Sequence, residues 1–165
     1  MSSIGGLQMK NLVVGLLLSL VLLCGFSQNY AAAQPAASGS DRERLIGAWH
    51  LASIVGHDGK PVTTGVPKGM LIYTRDGHMS VQLMYPDSEK SPSNEYVQNG
   101  YEASFGRYSV NVAAHAVTHH VEGSVTRDLL VGKDLPRAYR FNGDGHLIIR
   151  SAQPDERWSV EWVHY

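Results

Sequence analysis

Short runs of alternating apolar and polar residues, separated by turn residues, most limit what this chain can fold into. They begin near Gly47 and recur to the C-terminus, and no helix-length pattern separates most of them. A period of two places apolar side chains on one face of a strand. The pattern therefore predicts an all-β domain. Its predicted strands cover residues 47–55, 69–75, 78–84, 104–112, 116–124, 136–142, 146–151 and 157–164.

Tight turns join these strands and determine how they pair. Asp76-Gly77 lies between two alternating runs and is typical of a two-residue hairpin, whose type I′ turn needs positive φ at both positions. Consecutive strands with short connections pair antiparallel as a meander. Eight such strands with one apolar face each favour closure, because closure removes the sheet edges. The sequence thus predicts an eight-stranded antiparallel meander β-barrel.

One polar segment, residues 85–103, interrupts the alternation and contains two prolines. Ser93 is a plausible N-cap for a short helix within it. We expect this segment to cover one mouth of the barrel.

The N-terminal segment, residues 1–33, is typical of a secretory signal peptide. Lys10 precedes an apolar run, and small residues around Ala33 provide a cleavage site. The run is slightly short for a membrane span of ~20 residues, although an uncleaved anchor is the alternative. Cys24 is the only cysteine and leaves with this segment, so no disulfide can support the mature fold. The predicted location is secreted or periplasmic, with no stable membrane anchor after cleavage.

The mature chain is predicted to have a flexible linker, residues 34–44, and one barrel domain, residues 45–165. Its 132 residues are enough to bury a core. The net charge of the whole chain is −1, and loss of Lys10 makes it −2. There is no basic run, so a nucleic-acid partner is not expected.

Two adjacent histidines, His119 and His120, lie in the fifth predicted strand. Neighbouring side chains of a strand point to opposite faces, so the two cannot ligate one metal ion without a bulge. With a turn at Ala114-His115, the register places His119 inside the barrel and His120 outside. Tyr108 then faces inward and lies opposite Val121.

The Asp76-Gly77 hairpin determines which residues of a second pair of strands face the lumen. A two-residue turn there places Met70 and Ile72 inside. The same register places Tyr73, Ser80 and Gln82 outside, and a shift of one residue would reverse these faces.

Five strings resemble the lipocalin-like domain family, a group of small bacterial and fungal proteins. They are L-I-G-A-W-H-L, G-M-L-I-Y-T-R-D-G-H-M-S-V-Q-L-M, Y-E-A-S-F-G-R-Y-S-V, V-T-H-H-V-E-G-S and P-R-A-Y-R-F, between Leu45 and Trp162. The resemblance implies a lipocalin-type barrel and carries no agreed catalytic motif. It also implies that Trp49 closes the barrel base, often under an arginine, for which Arg137 is the candidate.

The candidate ligand-binding residues are those predicted to face the lumen. His119 either binds a ligand's polar end or is a hydrogen-bonded core histidine. Arg137 is the stronger indication, because a buried guanidinium without an anion is costly and no acidic residue shares its predicted face. It could reach solvent, stack on Trp49 or Trp162, or bind an acidic ligand group. The full set is Trp49, Tyr108, His119, Arg137, Tyr139, Trp158 and Trp162.

Other chemistry has weaker support in the sequence. The eight histidines lack zinc-ligand spacing, so neither a metal nor a cofactor is predicted. Ser80 and Ser109 have no evident base on their face.

The main hypothesis is an exported barrel that binds a small apolar molecule, acidic or aromatic. The alternatives are a cofactor-independent isomerase or cyclase, using His119, Tyr108 and Arg137 for acid–base chemistry, and a filled barrel that contacts other proteins.

Overall fold

The computed structural model describes residues 40–62, 67–86 and 93–165, so the predicted signal peptide lies outside the described residues. The described residues form a closed barrel in which each strand pairs antiparallel with the next and the last pairs with the first. The predicted eight-stranded meander barrel is confirmed. Its elements are α1 (Asp41–Leu45), β1 (Gly47–Val55), β2 (Lys68–Tyr73), β3 (His78–Met84), β4 (Tyr101–Asn111), β5 (Ala116–Ser124), α2 (Arg127–Leu130), β6 (Asp134–Phe141), β7 (Leu147–Ser151) and β8 (Ser159–His164).

The segment before β4 differs from its prediction. No helix begins at Ser93. Instead, the Asn94 side chain accepts hydrogen bonds from the backbone N–H groups of Tyr96 and Val97, at 2.8 and 2.9 Å. A side-chain bond of this kind stabilises a turn in competition with a helix. β4 also begins at Tyr101, three residues before the predicted start.

The hairpin between β2 and β3 has a three-residue loop, Arg75–Gly77, and not the predicted two-residue turn. Gly77 has a φ of +91° and Tyr73 pairs with Met79. Because the extra residue shifts the register by one, it reverses the faces of β2. Tyr73 therefore lies inside the barrel, fully buried, whereas Met70 is exposed. The predicted outward position of Tyr73 is wrong, but Ser80 and Gln82 do face outward.

The hairpin between β4 and β5 shows a different error. Its turn spans four residues, 112–115, so Tyr108 pairs with His119 and not with Val121. This shift is by two residues, which leaves the faces unchanged. The inward position of His119 is thus confirmed: its side chain is buried, and that of His120 is partly exposed.

The base of the barrel is closed by α1, which includes residues predicted to be linker. Leu45 is fully buried, and the Trp49 indole N–H donates to its carbonyl oxygen at 2.9 Å. The Arg44 guanidinium lies 3.8 Å from the centre of the Phe141 ring, which packs against Trp49. The arginine at the base is therefore Arg44, and Arg137 lies elsewhere. Among the described residues, no helix is long and apolar enough to cross a membrane.

Replacing Gly77 by alanine tests the loop that fixes the inner face of β2. A Cβ there meets nothing closer than 3.9 Å, so the cost comes from the positive φ. We expect Gly77→Ala to lower the free energy of unfolding by about 1–2 kcal/mol in urea denaturation. Gly143→Ala is the control, because Gly143 has open space and no positive φ. Equal stability of the two variants would contradict this account.

Candidate ligand cavity

A cavity of about 330 Å³ lies in the barrel at the end opposite α1. Most of its wall is apolar. The apolar wall consists of Ile54, Val55, Val62, Leu71, Val81, Leu83, Val97, Leu135, Ile149, Val160 and Trp162, and the polar or amphipathic side chains are His57, Tyr85, Asn94, Tyr96, Glu102, Ser104, His119, Arg137 and Trp158.

The segment that leads into β4 covers this end of the barrel, as predicted. Asn94, Tyr96 and Val97 all line the cavity, and Val97 is buried. The Asn94 turn described above holds the backbone of Tyr96 and Val97 in place. A side-chain hydrogen bond therefore shapes the mouth of the cavity.

The predicted site residues divide into two groups. His119, Arg137, Trp158 and Trp162 line the cavity, and their role in binding stays a prediction. The other three lie outside the cavity lining. Trp49 is buried at the base, the Tyr108 hydroxyl donates to the Thr74 carbonyl at 2.8 Å, and the Tyr139 hydroxyl donates to Asp41 at 3.2 Å.

His119 forms a buried pair with Tyr73, a residue that the predicted register had placed outside. The Tyr73 hydroxyl lies 2.6 Å from Nε2 of His119. Burial lowers the pKa of His119 to about 3, and the positive charge of Arg137 acts in the same direction. Burial also raises the pKa of Tyr73. The imidazole is therefore neutral, and its Nε2 accepts a hydrogen bond from the Tyr73 hydroxyl.

The other nitrogen of this imidazole is the donor that His119 can offer to the cavity it lines. A neutral imidazole that accepts at Nε2 carries its proton on Nδ1. Among the described residues, no hydrogen-bond partner is found for Nδ1 of His119. Since every fully enclosed side-chain nitrogen or oxygen in this part of the chain has a partner, Nδ1 is not fully enclosed. Since His119 lines the cavity, its Nδ1–H is open to a bound molecule.

Arg137 lies at the mouth between two aromatic rings. Its guanidinium carbon is 4.9 Å from the centre of the Trp158 ring and 5.4 Å from that of Tyr96. The Trp158 indole donates to Glu156 at 2.9 Å, which fixes one of these rings. Cation–π attraction thus offsets part of the cost of placing this charge in the cavity wall. The stacking partners are Trp158 and Tyr96, and not Trp49 or Trp162.

Glu102 is the acidic residue that the sequence prediction missed. It shares the lumen face of β4 with Ser104 and Tyr108, but the predicted strand began only at residue 104. The alternation from Glu102 to Tyr108 is the signal that could have identified it. Burial raises the pKa of Glu102 to about 7, against the opposing effect of Arg137. The cavity therefore holds a carboxyl group that titrates near neutral pH.

The family of the chain follows from comparison with known proteins. The model of the lipocalin-like domain family matches residues 46–163, which span the barrel. This chain belongs to the lipocalin-like domain family. It is also similar to a lipocalin-like protein from Bacteroides uniformis ATCC 8492, known from a crystal structure, at 13% identity and a TM-score of 0.47. That similarity covers 74% of this chain and 99% of the other. Comparison with curated proteins gives no match.

The lipocalin-like fold supports binding of a small molecule in the barrel. The polar groups at this cavity can donate from Arg137 and His119 and exchange a proton at Glu102. Within the described part of the chain, no group of three histidine, cysteine or acidic side chains could hold a metal ion.

Replacing Tyr73 by phenylalanine tests the buried pair of this lipocalin-like barrel. The change leaves Nε2 of His119 without a donor, which costs about 1–3 kcal/mol of unfolding free energy. Tyr108→Phe is the matched control, since the Thr74 carbonyl also accepts from the Gly77 N–H and keeps a partner. We expect a clearly smaller loss for Tyr108→Phe in the same urea titration; equal losses would show that the Tyr73 hydroxyl is not needed.

Glu102 predicts how stability depends on pH. The pKa of Glu102 is about 7 in the folded chain, against the ordinary value of 4.5 that applies when the chain is unfolded. Between these two pH values the folded state therefore binds more protons than the unfolded state. The free energy of unfolding should therefore fall as pH rises from 4.5 to 7, relative to Glu102→Gln. His119 contributes the opposite slope below pH 6.5, but equally to both proteins, so the difference isolates Glu102. Thermal unfolding at several pH values gives this dependence for both proteins. If stability changes with pH in the same way in the unchanged protein and in Glu102→Gln, the raised pKa of Glu102 is refuted.

Proposed function

We propose that this protein is exported and binds a small, largely apolar molecule with an acidic end. The cavity carries the proposal, because about 330 Å³ enclosed by apolar walls with a few convergent polar groups is typical of a small-molecule site. This volume is near the lower end of the usual range, which favours a compact ligand.

Arg137 supports an acidic end for the ligand. Among the described residues it forms no ion pair; it donates to the adjacent Pro136 carbonyl at 3.3 Å, and a side-chain hydrogen bond with the Tyr96 hydroxyl opposes the rise in the Tyr96 pKa that burial causes. The Trp158 ring stacks on the guanidinium and uses none of its N–H donors, and the Tyr96 hydroxyl engages only part of the five-donor guanidinium. Those donors suit a carboxylate, which guanidinium binds through two parallel hydrogen bonds. Trp158 and Trp162 add flat apolar surface, which suits an aromatic body.

The alternatives differ in their support. The open cavity speaks against a filled barrel that serves only for protein contacts. An isomerase or cyclase is the second candidate, because a carboxyl group with a pKa of about 7 is suited to accept and return a proton. Tyr108 loses its proposed part in that chemistry, since its hydroxyl is bonded to the Thr74 carbonyl outside the cavity lining. Glu102 would take the role of general base, and turnover of a bound ligand would distinguish enzyme from carrier.

Export rests on the sequence of residues 1–33, with the protein secreted or periplasmic. A mature chain that begins at Gln34, read by N-terminal sequencing, would establish the cleavage.

Binding of two fluorescent probes tests the proposed ligand chemistry. We expect 8-anilinonaphthalene-1-sulfonate, which is aromatic and anionic, to bind in the cavity. Arg137→Gln should weaken its binding about tenfold or more, because a hydrogen bond to a charged group contributes ~1.5–3 kcal/mol. A neutral probe, N-phenyl-1-naphthylamine, should bind both proteins equally.

Arg150→Gln is the matched control, because Arg150 is exposed on β7 and does not line the cavity. It should bind both probes as the unchanged protein does. Failure of both probes to bind, or equal weakening by the two arginine variants, would argue against the proposal.

A further inference from the structure

The outer face of the barrel carries a hydrogen-bonded chain of serine, histidine and aspartate. The Ser109 hydroxyl oxygen lies 3.0 Å from Nε2 of His120, and Nδ1 of the same imidazole lies 2.6 Å from the Asp134 carboxylate. The sequence prediction found no base for Ser109. The structure corrects this, because His120 is within hydrogen-bond distance of its hydroxyl.

Three neighbouring strands hold these side chains in place. Asp134 on β6 is directly opposite His120 on β5. Ser109 on β4 is opposite Thr118, two residues from His120 on the same face of β5. All three residues therefore belong to paired strands of a closed sheet, and none depends on a loop for its position.

The arrangement fixes the roles of the two imidazole nitrogens. In the neutral imidazole Nδ1–H donates a hydrogen bond to Asp134, which leaves the lone pair of Nε2 directed at the Ser109 hydroxyl. A serine activated by a histidine that is itself oriented by a carboxylate has the geometry of a nucleophile, whatever the fold that carries it. The side chains of His120 and Asp134 are 40% and 69% exposed, so solutes can reach the group.

We propose that Ser109, with His120 as its base and Asp134 as the positioning residue, is a nucleophile toward small activated esters. The Ser109 oxygen attacks the ester carbonyl carbon and its proton passes to Nε2 of His120. The bond from carbon to the leaving alcohol then breaks, and that oxygen takes the proton from His120. Water next attacks the acyl-serine, His120 accepts its proton and returns it to Ser109, and the carboxylic acid is released.

The surroundings define the substrate class. Ser109 is exposed on an open sheet face, so a long acyl chain has no enclosed wall to bind there. Small acyl groups with a good leaving group fit such a face. Arg107 is directly opposite His120 on the same face; its Nε lies 3.7 Å from Glu122, and its remaining N–H groups can stabilise the oxyanion.

Acylation by p-nitrophenyl acetate and phosphorylation by diisopropyl fluorophosphate test the proposal on the full barrel. Peptide mass spectrometry should locate both labels on Ser109. General-base assistance contributes ~10²–10⁴ to rate, so His120→Ala should slow labelling of Ser109 at least tenfold. Added imidazole should restore part of the rate in that variant, which a purely structural role of His120 does not predict.

Asp134 and a second serine complete the experiment. Asp134→Asn should slow labelling and Asp134→Glu should recover part of it, because a carboxylate again faces Nδ1. Ser80→Ala is the control, since Ser80 faces outward on β3 without a hydrogen bond to histidine in the described part of the chain. It should label at Ser109 like the unchanged protein. Labelling spread equally over exposed serines, or unaffected by His120→Ala in a variant with unchanged thermal unfolding, would overturn the proposal.

Discussion

Closure of the sheet, through the pairing of β8 with β1, is the constraint on which the rest of this structure depends. A closed sheet gives every strand two hydrogen-bonded neighbours, and side chains then alternate between a lumen and an outer surface. The adjacent residues His119 and His120 show how strongly this sorting acts. One is buried against the Tyr73 hydroxyl and is neutral, while the other lies on the surface between Ser109 and Asp134. Covalent neighbours thus belong to two separate chemical environments.

The lumen is divided between a filled base and an open upper part. Leu45 of α1 packs the base with Trp49 and Phe141, and the aromatic pair Tyr73 and Tyr108 lies above them with ring centres 4.7 Å apart. His119 lies where these two parts meet, since it bonds to Tyr73 and also lines the cavity. The packed base supplies stability, and the cavity is left free for a ligand.

The architecture could be predicted from sequence, whereas part of the candidate site could not. The alternation of apolar and polar residues predicts the eight strands, because each strand buries one face in the lumen and exposes the other. The loop at Arg75–Gly77 was harder, because Asp-Gly fits both a two-residue turn and the three-residue loop that forms, and one residue decides whether Tyr73 is inside. The error in the turn at residues 112–115 shifted the register by two residues, so the side chains of the two strands kept their predicted faces. Glu102 was missed because polarity alone assigned it to a loop, and the cost of its burial is visible only in the raised pKa.

The docking of α1 at the base has a consequence for how far the chain can be shortened at its N-terminus. Only seven residues separate the predicted cleavage site after Ala33 from Asp41. Asp41 accepts a hydrogen bond from the Tyr139 hydroxyl and lies 3.3 Å from Nδ1 of His115, so it ties the start of the folded chain to β6 and to the turn between β4 and β5. Proteolysis or truncation past Ser40 would open the floor of the barrel, whereas a tag that ends before it leaves that floor intact. The N-terminal limit of the folded chain therefore lies near Asp41, whose carboxylate makes these two contacts.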